Sequence, residues 1–82
     1  MPVNKEKLSQ QEEQFLLNIG FRIQFLRKKI GMSQQELSER SELSTSTISH
    51  LESTNVYAVS TVSLYRIANA LNVNPMALFD FD

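Results

Sequence analysis

Cysteine and tryptophan are absent from these 82 residues, and glycine and proline occur only twice each. Without cysteine there is no disulfide framework and no thiol chemistry, a composition that fits a reducing cytoplasm. The single histidine, His50, leaves no partner set for a metal cluster or for nucleophilic catalysis. The carboxylates are scattered at helical surface spacing, so no enzyme and no cofactor is expected. No apolar run approaches the roughly 20 residues of a membrane span. The opening Met1-Pro-Val-Asn-Lys-Glu-Lys7 lacks the apolar stretch of a signal peptide, and residues 1–8 read as a flexible polar tail. A basic excess is missing too: eight Lys and Arg against nine Asp and Glu give a net charge of −1. The chain is long enough for one small domain with a modest core, which helical packing or dimerisation would support.

What is present is helical. Ser9 with Glu12 forms a capping-box pattern, further acid fills the first turn, and Arg27, Lys28 and Lys29 precede Gly31 as a C-terminal cap. These signals predict one long helix from Ser9 to about Ile30, with Phe15, Ile19, Ile23, Leu26 and Ile30 as its core stripe. Gly20 sits inside it at a cost of about 1 kcal/mol against alanine, and a break there is the competing reading. A second apolar row, Leu17, Phe21 and Phe25, is either covered by the N-terminal segment or serves as a self-association face. Arg22, Arg27, Lys28 and Lys29 gather into a local basic edge despite the overall charge.

The stretch from Ser33 to Glu52 predicts two short helices joined by a tight turn. Ser33 caps the first, over about Gln34 to Ser41, and Glu36 completes a second capping box. Ser44 caps the next, over about Thr45 to Ser53. Leu37, Leu43, Ile48 and Leu51 pack the pair together, with Ser38 at the closest approach, its hydroxyl bonding back to a carbonyl one turn earlier. Thr45, Ser46, Ser49 and His50 then form an outer face with no apolar residue and no long charge. A helix anchored on one stripe and polar on the other suits a major groove. These four are candidates for base edges, and the Thr45 methyl can meet a thymine methyl. None offers a bidentate contact, so water bridges or DNA shape share the discrimination. The free N–H groups near Gln34, with its amide, form a phosphate seat. Lys28, Ser44 and Asn55 complete the candidate phosphate contacts.

Beyond the loop from Thr54 to Thr61, in which Asn55 is a candidate left-handed position, a helix runs from Thr61 to Leu71. Leu64, Ile67, Ala68 and Leu71 face inward there and Arg66 outward. Tyr57 rests on the DNA backbone or tucks under the loop. No Arg or Lys lies in this loop to read a minor groove. Asn72 or Asn74 ends the helix, and Pro75 opens a short last one to about Phe79. Met76, Leu78, Phe79 and Phe81 leave an apolar end.

Gln34, Glu36-Leu37, Leu43-Ser44, Ser46-Thr47-Ile48-Ser49 and Glu52 resemble the helix-turn-helix of lambda-repressor-like DNA-binding domains (Cro-type, or XRE family). The resemblance covers roughly residues 20 to 79 of a domain spanning 9–82. It implies an all-α, compact five-helix fold, here with an extended N-terminal helix. Gln34 matches the glutamine that grips phosphate, and Arg27 and Glu52 match an ion pair tying the first helix to the recognition helix. The last helix in the family often joins the dimer contact, so Phe79 and Phe81 stand with Leu17, Phe21 and Phe25 as dimer candidates. The sequence departs from the family at Ser38, where alanine is usual, and at Glu42, where glycine is common. Glu42 and the polar Ser41 suggest an altered turn.

The function so implied is a sequence-specific transcription regulator that binds a two-fold operator in double-stranded DNA as a homodimer. With no second sensing domain expected, regulation would run through concentration or a protein co-regulator. A protein-interaction module that keeps the fold without DNA binding is the alternative. It is favoured by the acidic balance, Glu42 and the Leu17-Phe21-Phe25 row.

Overall fold

The computed structural model describes residues 8–81, so most of the expected tail and the last acid, Asp82, lie outside the described residues. Four α-helices follow one another: α1 (Gln10–Lys29), α2 (Gln34–Ser41), α3 (Thr45–Leu51) and α4 (Thr61–Ala70). The expected fifth helix is a 3₁₀ turn, Pro75–Phe79, with Pro at its first position. No strand occurs among the described residues. The helix types follow from the caps. Ser9, Ser33, Ser44 and Ser60 each accept a backbone N–H from the third residue onward, satisfying one of the orphan donors of each amino end.

The capping box predicted at Ser9 and Glu12 is complete. At Ser33 only the forward half is made, because the Glu36 carboxylate turns instead to Arg40, 2.8 Å away and one turn on. α3 is also shorter than expected. It stops at Leu51, and the Ser53 hydroxyl donates to the His50 carbonyl, closing the helix end before Ser53 can join it. Asn72, in the left-handed region, follows the end of α4, whereas Asn74 caps the 3₁₀ turn, so each asparagine has its own task. Asn55 is not left-handed; its N–H donates to the Ser53 hydroxyl in a local turn.

α1 runs unbroken through Gly20, and the reason lies across the core. A Cβ at Gly20 would stand 1.8 Å from the Leu51 carbonyl oxygen. The glycine is the point at which α1 passes directly over the carboxyl end of α3. Ile19 and Ile23, buried on either side of it, join Leu26, Met32, Leu37, Ile48, Leu51, Leu64, Ile67, Ala68, Leu71 and Leu78 in one core. Leu43 packs against that core half-buried, so three of the four aliphatics expected to bind α2 to α3 are fully inside.

Two members of the expected α1 stripe are outside: Phe15 is 48% exposed and Ile30 is 55% exposed. Ile30 follows the last helical residue and has left the buried side. Phe15 is drawn to the chain's other end, stacking on Phe79 with centroids 6.0 Å apart and meeting the edge of Phe81 at 5.9 Å.

The α2–α3 turn keeps its tight form despite Glu42. That residue adopts φ 61°, the left-handed conformation, which costs a non-glycine about 1–2 kcal/mol. Ser38 closes the turn against that cost. Its carbonyl accepts the backbone N–H groups of Glu42 and Leu43, and the buried Ser41 hydroxyl at 3.4 Å. Its own hydroxyl donates forward to the Leu43 carbonyl at 2.5 Å, not back to the preceding turn as the sequence suggested.

Candidate nucleic-acid interface

α3 is a helix of seven residues with two unlike sides. Ile48 and Leu51 hold it to the core, 0% and 4% exposed, while Thr45, Ser46, Ser49 and His50 are all exposed. The amino end is fixed by Ser44, whose hydroxyl accepts the Thr47 N–H at 3.0 Å and shares a hydrogen bond with the Thr47 hydroxyl at 2.8 Å. Thr45 makes one weak contact across the turn, to the Ser38 hydroxyl at 3.4 Å. No side-chain hydrogen bond occupies Ser46, Ser49 or His50 among the described residues. Their donors and acceptors stand free of the protein for a partner.

The carboxyl end of α3 is tied down by ions. Glu52 accepts from both Arg27 Nε and Nη2 at 2.7 Å, a bidentate pair joining α1 to the end of α3. Arg27 Nη1 donates to the Met32 carbonyl at 2.6 Å, so the guanidinium also ties the α1–α2 connection. The hydrogen bonds that Arg27 donates to Glu52 raise its pKa above the ordinary value against the opposing pull of burial. Among the described residues no buried side-chain polar atom lacks a partner, and the pair is therefore fully compensated.

Gln34 stands at the amino end of α2, half-buried, and its amide donates to Glu52 Oε1 at 3.1 Å. This bond ties the amide to the ion pair. Ser44 is occupied by its cap, Lys28 is exposed on the last turn of α1, and Asn55 is exposed in the loop after α3.

The basic edge read from the sequence breaks up. Arg27 is consumed by Glu52. Arg22 donates through Nε to the Ala77 carbonyl at 2.9 Å, lies 3.8 Å from Asp80, and covers the Phe25 ring at 5.4 Å. It fastens α1 to the 3₁₀ turn. Only Lys28 and Lys29 of the four remain exposed. The sequence offered no signal for the Arg22 contact, which joins residues 55 positions apart.

Among the dimer candidates, Phe21 and Phe25 are 41% and 54% exposed, Leu17 is half-buried, and Phe79 and Phe81 belong to the aromatic group with Phe15. Phe81 also lines a hollow with Asn18, Phe21, Arg22 and Asp80, which links the two aromatic groups across α1. Tyr57 tucks half-buried against the core, its ring 6.0 Å from that of His50.

A polar helix carried on a buried stripe, behind a capped tight turn, defines a DNA-binding helix-turn-helix. The profile of that family, described as helix-turn-helix, matches residues 23–78, and the chain belongs to it. Its variant is the Cro-type, XRE one that the residues resemble. Among solved structures the chain is similar to the restriction-modification controller protein C.AhdI from Aeromonas hydrophila. The two are 34% identical with a TM-score of 0.74, over 78% of this chain and 96% of that one. The wild-type restriction-modification controller protein C.Esp1396I is 30% identical with a TM-score of 0.73, over 80% of this chain and 84% of that one. No curated protein gives a significant match. No helix among the described residues is long and apolar enough to cross a membrane.

Proposed function

We propose that this chain is a transcription regulator of the controller type, which binds a two-fold operator as a homodimer and acts in the cytoplasm. The observation that carries this reading is the outer side of α3. It presents Thr45, Ser46, Ser49 and His50, exposed and unobstructed, on a helix whose opposite side is locked into the core. Two such helices, related by a two-fold axis, would enter successive major grooves about 34 Å apart. The similarity to two restriction-modification controllers supports the same role here.

The phosphate contacts fall to the amino end of α2 with Gln34, to Ser44 at the amino end of α3, and to Lys28 and Asn55 beside them. The bond from Gln34 to Glu52 orients its amide and leaves the second amide proton for phosphate. The second copy covers the exposed aromatic side of α1 and the chain end, with Phe21, Phe25, Phe79, Phe81 and Leu17 in the contact. A protein co-regulator is not needed for this reading. Selection of bound sites from a random duplex library, with the oligomeric state measured alongside, tests it. An enriched, two-fold-symmetric site bound by two copies is expected. A chain that enriches no sequence, and binds random duplex no better at low salt than at high, would instead be an interaction module of the same fold.

A further inference from the structure

His50 stands at the edge of the polar face of α3. At roughly 100° per residue, Thr45, Ser49 and Ser46 fan over an arc of about 100°, and His50 falls about 40° beyond Ser46. It also lies in the last turn, whereas a recognition helix reads base edges mainly from its amino-terminal residues. The rim it occupies faces the loop after α3. There Tyr57, anchored against the core, presents its ring 6.0 Å from the imidazole at an angle of 35°. His50, Asn55, Val56 and Tyr57 together line an open hollow of about 350 Å³. The loop wall is built. The Ser53 hydroxyl donates to the His50 carbonyl at 2.8 Å, and the Asn55 N–H donates to the same hydroxyl at 3.1 Å.

We propose that this hollow seats one sugar–phosphate unit of the bound duplex, with Tyr57 as the residue that positions His50 for it. The inference rests on the DNA-binding reading and moves His50 from base edge to backbone. The lining suits that occupant. The imidazole and the Asn55 amide supply donors for phosphate oxygens, and the Tyr57 ring and Val56 supply an apolar wall for a deoxyribose. Its lining includes His50, which lies on the exposed side of α3. A tyrosine wall limits the rotamers open to His50, so less freedom is lost on binding.

The consequence is a charge-dependent contact, because histidine is the side chain that changes charge between pH 5 and 8. Tyr57 is the one other titratable residue lining the hollow. Glu52, two positions along, is turned inward onto Arg27 and Gln34. Among the described residues no other charged side chain lines this site.

The test uses the whole chain and a random-sequence duplex, which needs no known operator. Log affinity is measured against log salt at pH 5.5 and pH 8 for the wild type, His50→Gln, Tyr57→Phe and Tyr57→Ala. The wild type is expected to bind more tightly at pH 5.5, with a salt slope steeper by about 0.9 for each copy bound, the value for one added phosphate contact per chain. His50→Gln should erase the difference between the two pH values, and Tyr57→Phe should keep it. Tyr57→Ala should weaken it while the proton spectrum of the single histidine confirms a folded chain. Equal wild-type slopes at the two pH values would overturn the proposal, as would a difference that survives in His50→Gln. Failure to bind duplex at either pH removes the DNA-binding reading itself, a result distinct from binding with a pH-invariant slope.

Discussion

The two sides of α3 differ in kind. The inner side is over-determined: Ile48 and Leu51 are buried, α1 lies on the Leu51 carbonyl at Gly20, and Glu52 at the helix end accepts from Arg27 and Gln34. The outer side is committed to almost nothing within the protein. Seven residues thus carry two tasks with little overlap. Stability is invested in the position of the helix, and the exposed hydroxyls are left to the partner. The helix is too short to be stable by itself, and tertiary packing supplies what its length lacks.

Substitutions that break this division have graded effects. Arg27→Ala strips Glu52 of its partner and leaves a buried carboxylate, so a loss of about 3–5 kcal/mol is expected by denaturant unfolding. Gly20→Ala comes next, and its sign is the informative part. Alanine raises helix propensity by about 1 kcal/mol, yet its methyl group meets the Leu51 backbone. A net loss of about 1–3 kcal/mol follows from forcing α1 off α3; a gain in melting temperature would mean that the two helices are not so tightly apposed.

On the outer side the pattern reverses. Ser46→Ala should leave unfolding free energy within about 0.5 kcal/mol while weakening the selected operator by about 0.5–1.5 kcal/mol per copy, the worth of one neutral hydrogen bond, with relaxed preference at one base pair of each half-site. Comparable losses of stability for Ser46→Ala and Arg27→Ala would dissolve the contrast. The smallest effect belongs to the turn. Glu42→Gly relieves about 1–2 kcal/mol of left-handed strain and gives back about 0.4–1 kcal/mol through the freer unfolded chain. A small net stabilisation, read as a slightly higher melting temperature with unchanged DNA affinity, is the expected result.

Local signals in the sequence were enough for most of the fold. Each helix start carries a serine that accepts from the third residue, and Gly31, Asn72 and Pro75 stand where a helix ends or begins. The periodic aliphatics of α4 all lie inward. What was not legible depends on distant parts of the chain. Phe15 reads as core by spacing, yet it lies against Phe79 and Phe81 at the other end. Arg22 reads as part of a basic edge, yet the Ala77 carbonyl claims it. Gly20 reads as a helix defect until Leu51 is seen beneath it. For the candidate site, the polar face of α3 was visible from composition at helical spacing. The pairing of His50 with Tyr57 was not, because it depends on how the intervening loop folds.

The most direct measurement is a map of backbone amide shifts on titration with the selected operator duplex. The largest changes are expected from Ser44 to His50 and at Gln34, with the core residues Ile23 and Ile67 nearly still. Changes confined to Phe21, Phe25 and Phe81, with α3 silent, would contradict it.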